Sequence, residues 1–145
     1  MDTPEEIKIW QRVRGETTPI TDSLPAMTAG AIAEAALYGK LAQQFQGHQR
    51  KILLQLQEEE LRHVRCLKGI YQIASGTPMQ VAAVPISAER IEIALRKSYG
   101  RALKALNLYD RHSSHAEYGA IFSCLAATER THCCKIAELI GEILG

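Results

Sequence analysis

Two four-residue stretches constrain this chain more than anything else in it: Glu60-Leu61-Arg62-His63 and Glu129-Arg130-Thr131-His132. Each sets a carboxylate and an imidazole three residues apart, which on an α-helix means one face, one turn apart. Alone, that spacing is common. Its weight comes from the apolar register around it. Leu53, Leu56, Glu60, His63, Leu67, Ile70 and Ala74 recur in steps of three and four, as do Phe122, Leu125, Glu129, His132, Ile136, Leu139 and Ile143. Such a repeat is the buried stripe of a helix, and in both stripes the only polar members are the Glu and the His. A buried carboxylate is costly unless it is protonated, paired or bound to a metal. The two helices must therefore bring these groups together, either as a hydrogen-bonded Glu/His network or around an ion.

The rest of the chain supplies two more long helices and an arm. Thr3-Pro4-Glu5-Glu6 reads as a helix start, Thr as N-cap and Pro at the first helical position, opening a short helix that stops at Gly15. Residues 1–22 form this N-terminal arm and linker; residues 23–145 form the main body. The first long helix is expected over 23–46, from Ser23 as N-cap, on a stripe of Leu24, Met27, Ala31, Glu34, Tyr38, Leu41 and Phe45. Gly47 breaks it, and the second helix follows at once, to Ser75, with Gly76 as its stop. Ser87 is expected to cap the third helix, which runs to about Asp110 on Ile91, Leu95, Ser98, Ala102, Ala105 and Tyr109. The capping box Ser114-x-x-Glu117 is expected to open the fourth. Short turns make the first and second helices antiparallel, and likewise the third and fourth. The ten residues 77–86 can reach about 35 Å if extended, nearly the length of a 25-residue helix. That length fits a crossover that leaves the second and third helices parallel.

Bulk properties exclude several classes. At 145 residues, with 46% hydrophobic and 23% charged residues, the chain suits one globular domain with a sizeable core. Net charge is +1 and the basic residues form no run, so there is no electrostatic footprint for nucleic acid or an acidic membrane surface. No apolar stretch approaches a membrane span, and the N-terminus, with Asp2, Glu5 and Glu6, does not read as a signal peptide. Cys66, Cys124, Cys133 and Cys134 lack Cys-x-x-Cys spacing, which points to reduced thiols in a cytoplasmic protein; they read as small buried hydrophobes or as thiolates near a metal. His48, His112 and His115 fall near helix ends, where they cap or face solvent.

The chain also repeats itself. His63 and His132 lie 69 positions apart, as do Glu60 and Glu129, while Tyr38 and Tyr109 lie 71 apart. Each half is a helical hairpin with an interior Tyr on its first helix and Glu-x-x-His on its second. In this the sequence resembles the ferritin-like superfamily, and within it the rubrerythrin-like di-iron carboxylate bundles, over roughly residues 23–145. The resemblance implies an all-α, ferritin-like antiparallel four-helix bundle with a long crossover between its second and third helices. It also implies iron or another divalent metal held by Glu60, His63, Glu129 and His132, with peroxide- or oxygen-linked redox chemistry. Such bundles place a further Glu on each of the other two helices, seven residues before the interior Tyr. Here those positions are Ala31 and Ala102. Half the carboxylate charge that two ions need is missing, which favours one ion, or none in a scaffold that has lost its chemistry. Glu34, one turn past Ala31, either replaces the missing ligand or sits at the stripe's edge, reaching solvent or pairing with Arg62 or Arg65. Tyr38 and Tyr109 either hydrogen-bond to the carboxylates or pack as core aromatics. No rubredoxin-type module is present, so a redox role requires an external electron donor. A homodimer is the symmetric default, with Ile9, Trp10 and the apolar stretch 81–86 as candidate interface.

Overall fold

The computed structural model describes residues 19–82, 85 and 89–144. These contain four α-helices: α1 (Ile20–Ala42), α2 (Gly47–Ser75), α3 (Ile91–His112) and α4 (Gly119–Leu144). The expected N-terminal helix and the Ser87 cap lie outside the described residues. Most stripe residues are buried as the apolar period requires; Phe45, Ile91, Ala105 and Ile143 are half-buried, and Ala74, in the last turn of α2, is exposed. Gly76 ends α2 in the left-handed conformation, φ 77°, and its N–H donates to the Gln72 carbonyl at 2.8 Å.

Four helix ends differ from expectation. Helix α1 begins at Ile20, after Pro19, three residues before Ser23. It ends at Ala42, because Gln44 N–H bonds the Leu41 carbonyl three residues back and the chain tightens into a turn. Helix α3 begins at Ile91 behind Arg90, and Glu89 stays outside it, paired with Lys97 at 2.5 Å. Helix α4 is not opened by Ser114-x-x-Glu117. The Ser114 hydroxyl donates back to the Arg111 carbonyl, at 3.3 Å, and so belongs to the end of α3. His115 is the cap instead: its Nδ1 accepts the N–H groups of Glu117 and Tyr118 at 3.1 and 3.2 Å. Gly119 follows where a Cβ would overlap the Ser113 carbonyl oxygen.

Helix α1 packs along α2, and α3 along α4; the two hairpins meet through α2 against α4 and α1 against α3. Residue pairs fix the direction of the central contact. His48 and Gln49 reach Glu142 at one end, while Glu60 reaches His132 and His63 reaches Glu129 at mid-length. Helices α2 and α4 are thus antiparallel. Since α3 and α4 are antiparallel hairpin partners, α2 and α3 run the same way, and residues 76–90 make the crossover. The core falls into two apolar clusters. One gathers Leu41, Leu53, Leu95 and Ile136; the other gathers Leu24, Leu67, Phe122 and Leu125. The 69- to 71-residue repeat exchanges them: Leu53 corresponds to Phe122, Leu67 to Ile136 and Leu24 to Leu95. Between the two lies a polar layer.

Candidate metal centre

Four residues make that layer. Glu60, His63, Glu129 and His132 are each at most 3% exposed. Helical spacing puts each Glu and His on one inner face, and the antiparallel packing of α2 on α4 sets each Glu against the His of the other helix. His132 Nδ1 stands 3.1 Å from Glu60 Oε1 and 3.6 Å from Glu129 Oε2. His63 Nδ1 stands 3.2 Å from Glu129 Oε1 and 3.8 Å from Glu60 Oε2. The imidazoles stack, centroids 5.9 Å apart and planes 16° from parallel. Tyr38 meets His132 edge-on and Tyr109 meets His63 the same way, so the aromatic neighbours also obey the pseudo-twofold.

The layer fits a metal ion on two observations. Ligand atoms of Glu60, Glu129 and His132 all lie within 4.8 Å of one another. His63 Nδ1 is buried without a hydrogen-bond partner; Glu129 is close enough for attraction but off the line of a hydrogen bond. A buried ring nitrogen in that state is a lone pair or proton wanting a partner, and an ion among these carboxylates would supply one. Two imidazoles and two carboxylates suit a single divalent transition metal.

Without an ion the same groups titrate abnormally. Burial drives Glu60 up, to about 9. Burial would raise Glu129 too, but the close approach of the His132 and His63 rings outweighs it and holds Glu129 well below the usual carboxylate range. Burial would lower His132, yet its bonds with Glu129 and Glu60 raise it, to about 10. The metal-free layer is thus a neutral Glu60, an anionic Glu129 and a cationic His132. Between about pH 6.5 and 9 the folded chain keeps protons on Glu60 and His132 that the unfolded chain has lost. The His132 contribution is complete below about 6.5 and lost as pH rises through about 10. Thermal melts of chelator-treated protein are therefore expected to show stability declining from pH 6.5 to 10. A flat or rising profile there would contradict this protonation pattern.

The internal symmetry breaks in one place. His132 Nε2–H donates to Glu59 Oε2 at 2.6 Å, an outer partner that fixes the ring and leaves Nδ1 facing the layer. The position equivalent to Glu59 in the second hairpin is Thr128, whose hydroxyl is given to the Cys124 carbonyl. Glu59 lies off the stripe, and its only sequence signal is the acidic run Glu58-Glu59-Glu60.

Glu34 is buried, and its carboxylate is engaged by the Arg101 guanidinium and, at 2.9 Å, by the Ser98 hydroxyl. Arg65 pairs instead with Glu58. The expected Arg62 or Arg65 partner is thus replaced by Arg101, because α1 faces α3 along this edge. With its proton given to Glu34, Ser98 Oγ accepts from the Tyr38 hydroxyl at 3.0 Å, so that Tyr hydrogen-bonds beside the layer rather than to its carboxylates. Of the cysteines only Cys133 is buried, and all four are free.

Above the layer the α1–α3 seam opens. A cavity of about 460 Å³ reaches Glu60 and Glu129 between Gly30, Ala31, Ala102 and Ala105, with Glu34, Arg101 and Lys104 also in its walls. A second group, His48, Glu138 and Glu142, lies exposed at one end of the bundle and is occupied by its own ion pair. Among the described residues no helix is long and apolar enough to cross a membrane. No protein-family model, curated protein or solved structure matches the chain.

Proposed function

We propose that this chain is a ferritin-like, rubrerythrin-like metal-binding protein that holds one divalent ion, iron in the first instance, among Glu60, His63, Glu129 and His132. The observation that carries the reading is the buried convergence of two carboxylates and two imidazoles, with His63 Nδ1 lacking a hydrogen bond in the metal-free layer. Bound there, a redox-active ion would supply one-electron exchange with peroxide or oxygen. The chain's own part is to orient and to exclude. Glu59 holds His132 by Nε2, the two apolar clusters keep water from the layer's ends, and the α1–α3 cavity leaves one approach. Glu34 stays a secondary ligand candidate, available only if it gives up Arg101 and Ser98. The wider reading is a cytoplasmic oxidoreductase, acting as a homodimer and fed by an external electron donor.

A second reading rests on the same four residues. With Glu60 neutral and His132 charged they balance one another without an ion, which is what a non-catalytic scaffold that binds a partner would keep. Elemental analysis of protein purified without chelator separates the two. About one metal per chain is expected, with a higher melting temperature than after chelation; two irons would restore the di-iron reading, and none would select the scaffold.

A further inference from the structure

The α1–α3 cavity has a chemistry that the metal reading does not use. Its depth carries the Glu60 and Glu129 carboxylates, its sides are Met27, Ala31, Ala102 and Leu108, and its edge carries two cations. Arg101 is committed to Glu34. Lys104 is exposed and has no carboxylate partner among the described residues. At about 460 Å³ the space falls in the lower half of the range for pockets that bury small organic ligands, about 300–1,000 Å³. It is open where the helices would otherwise touch: a Cβ on Gly30 would meet nothing within 4 Å.

We propose that this cavity binds a small monocarboxylate with an apolar body, its carboxylate at the mouth on Lys104 and its body over Met27, Ala31, Ala102 and Leu108. The orientation follows from charge. The depth offers an acid head only the carboxyl groups of Glu60 and Glu129, while the mouth offers the Lys104 ammonium, which attracts it. Burying the apolar body gives the affinity, and Lys104 gives the sign preference. In the metal-free chain the site needs no ion on Glu60 and Glu129, which form its depth.

The test uses octanoate, 1-octanol and octylamine on chelator-treated full-length chain, so that its failure leaves the metal reading untouched. Calorimetry measures affinity, and the methyl signals of ¹³C-labelled methionine report position. Octanoate is expected to bind more tightly than either neutral or cationic analogue, and to move the Met27 signal while Met79 stays in place. Lys104→Glu is expected to weaken octanoate roughly five- to tenfold and to leave octanol unchanged. Gly30→Leu adds a side chain to the cavity wall at a helical position where its Cβ meets nothing within 4 Å and where leaving Gly favours folding; it is expected to abolish binding of both. Octanol or octylamine binding as well as octanoate would overturn the proposal. So would an unmoved Met27 signal, or full affinity in Gly30→Leu. A Met27 signal that shifts with protein concentration alone would assign the face to a second copy of the chain, and would also overturn it.

Discussion

Glu129→Gln is expected to cost the metal-free protein about 1–3 kcal/mol of stability, whereas Glu60→Gln is expected to cost under about 1 kcal/mol. The two glutamates are equivalent in the repeat, both 2% exposed and both facing an imidazole of the other helix. Their protonation states separate them. Glu129 is the anion on the inner side of a cationic His132, so its amide would leave that ring with only the outer Glu59 carboxylate, at 2.6 Å, as counter-charge. Glu60 holds its proton, and a glutamine there keeps the oxygen that accepts from His132 Nδ1. Urea unfolding of chelator-treated variants near pH 7 measures both. Equal losses would show that the proton does not reside on Glu60. Metal affinity is expected to fall sharply in each variant, since an ion needs both oxygens; the asymmetry belongs to the metal-free state alone.

The double change Ala31→Glu with Ala102→Glu is expected to raise metal content from about one to about two ions per chain. Both alanines line the cavity that reaches Glu60 and Glu129, one on each helix that contributes no carboxylate to the layer. The space accepts two longer side chains, and two added negative charges offset the repulsion that otherwise keeps a second cation out. Without metal the variant should be several kcal/mol less stable than the parent, because four carboxylates would then crowd one buried region. Metal should restore it. Elemental analysis and melting with and without chelator check both halves, and a double variant that still takes one ion would show that the α1 and α3 positions do not converge on the layer.

What could be read from the residues, and what could not, divides along a physical line. The four stripes, the glycine stop at 76 and the meeting of Glu60, His63, Glu129 and His132 were legible, because periodic burial forces them whatever the neighbours are. Helix starts were less so. Ser114-x-x-Glu117 has the spacing of a capping box, yet the hydroxyl finds the Arg111 carbonyl first and His115 takes the cap. Contacts across the bundle were least legible. Arg101 on Glu34 and Glu59 on His132 depend on which helix lies beside which and at what rotation. The unequal protonation of two repeat-equivalent glutamates has no sequence signature, since it arises from how each carboxylate is turned toward the two rings.

The polar layer also bears on why the chain adopts its connectivity. Had α2 and α4 been parallel, the repeat would have set Glu60 level with Glu129 and His63 level with His132 along the bundle, with no carboxylate opposite an imidazole of the other helix. Antiparallel packing alternates them, so every carboxylate meets an imidazole. Sliding either hairpin by one turn would strand a charged pair against Leu or Phe of the adjoining clusters. These four side chains therefore act as a key for alignment: one direction and one offset are compatible with burying them. The long connection at 76–90 is the topological consequence, since only a segment that travels the length of the bundle lets the second hairpin enter in that sense.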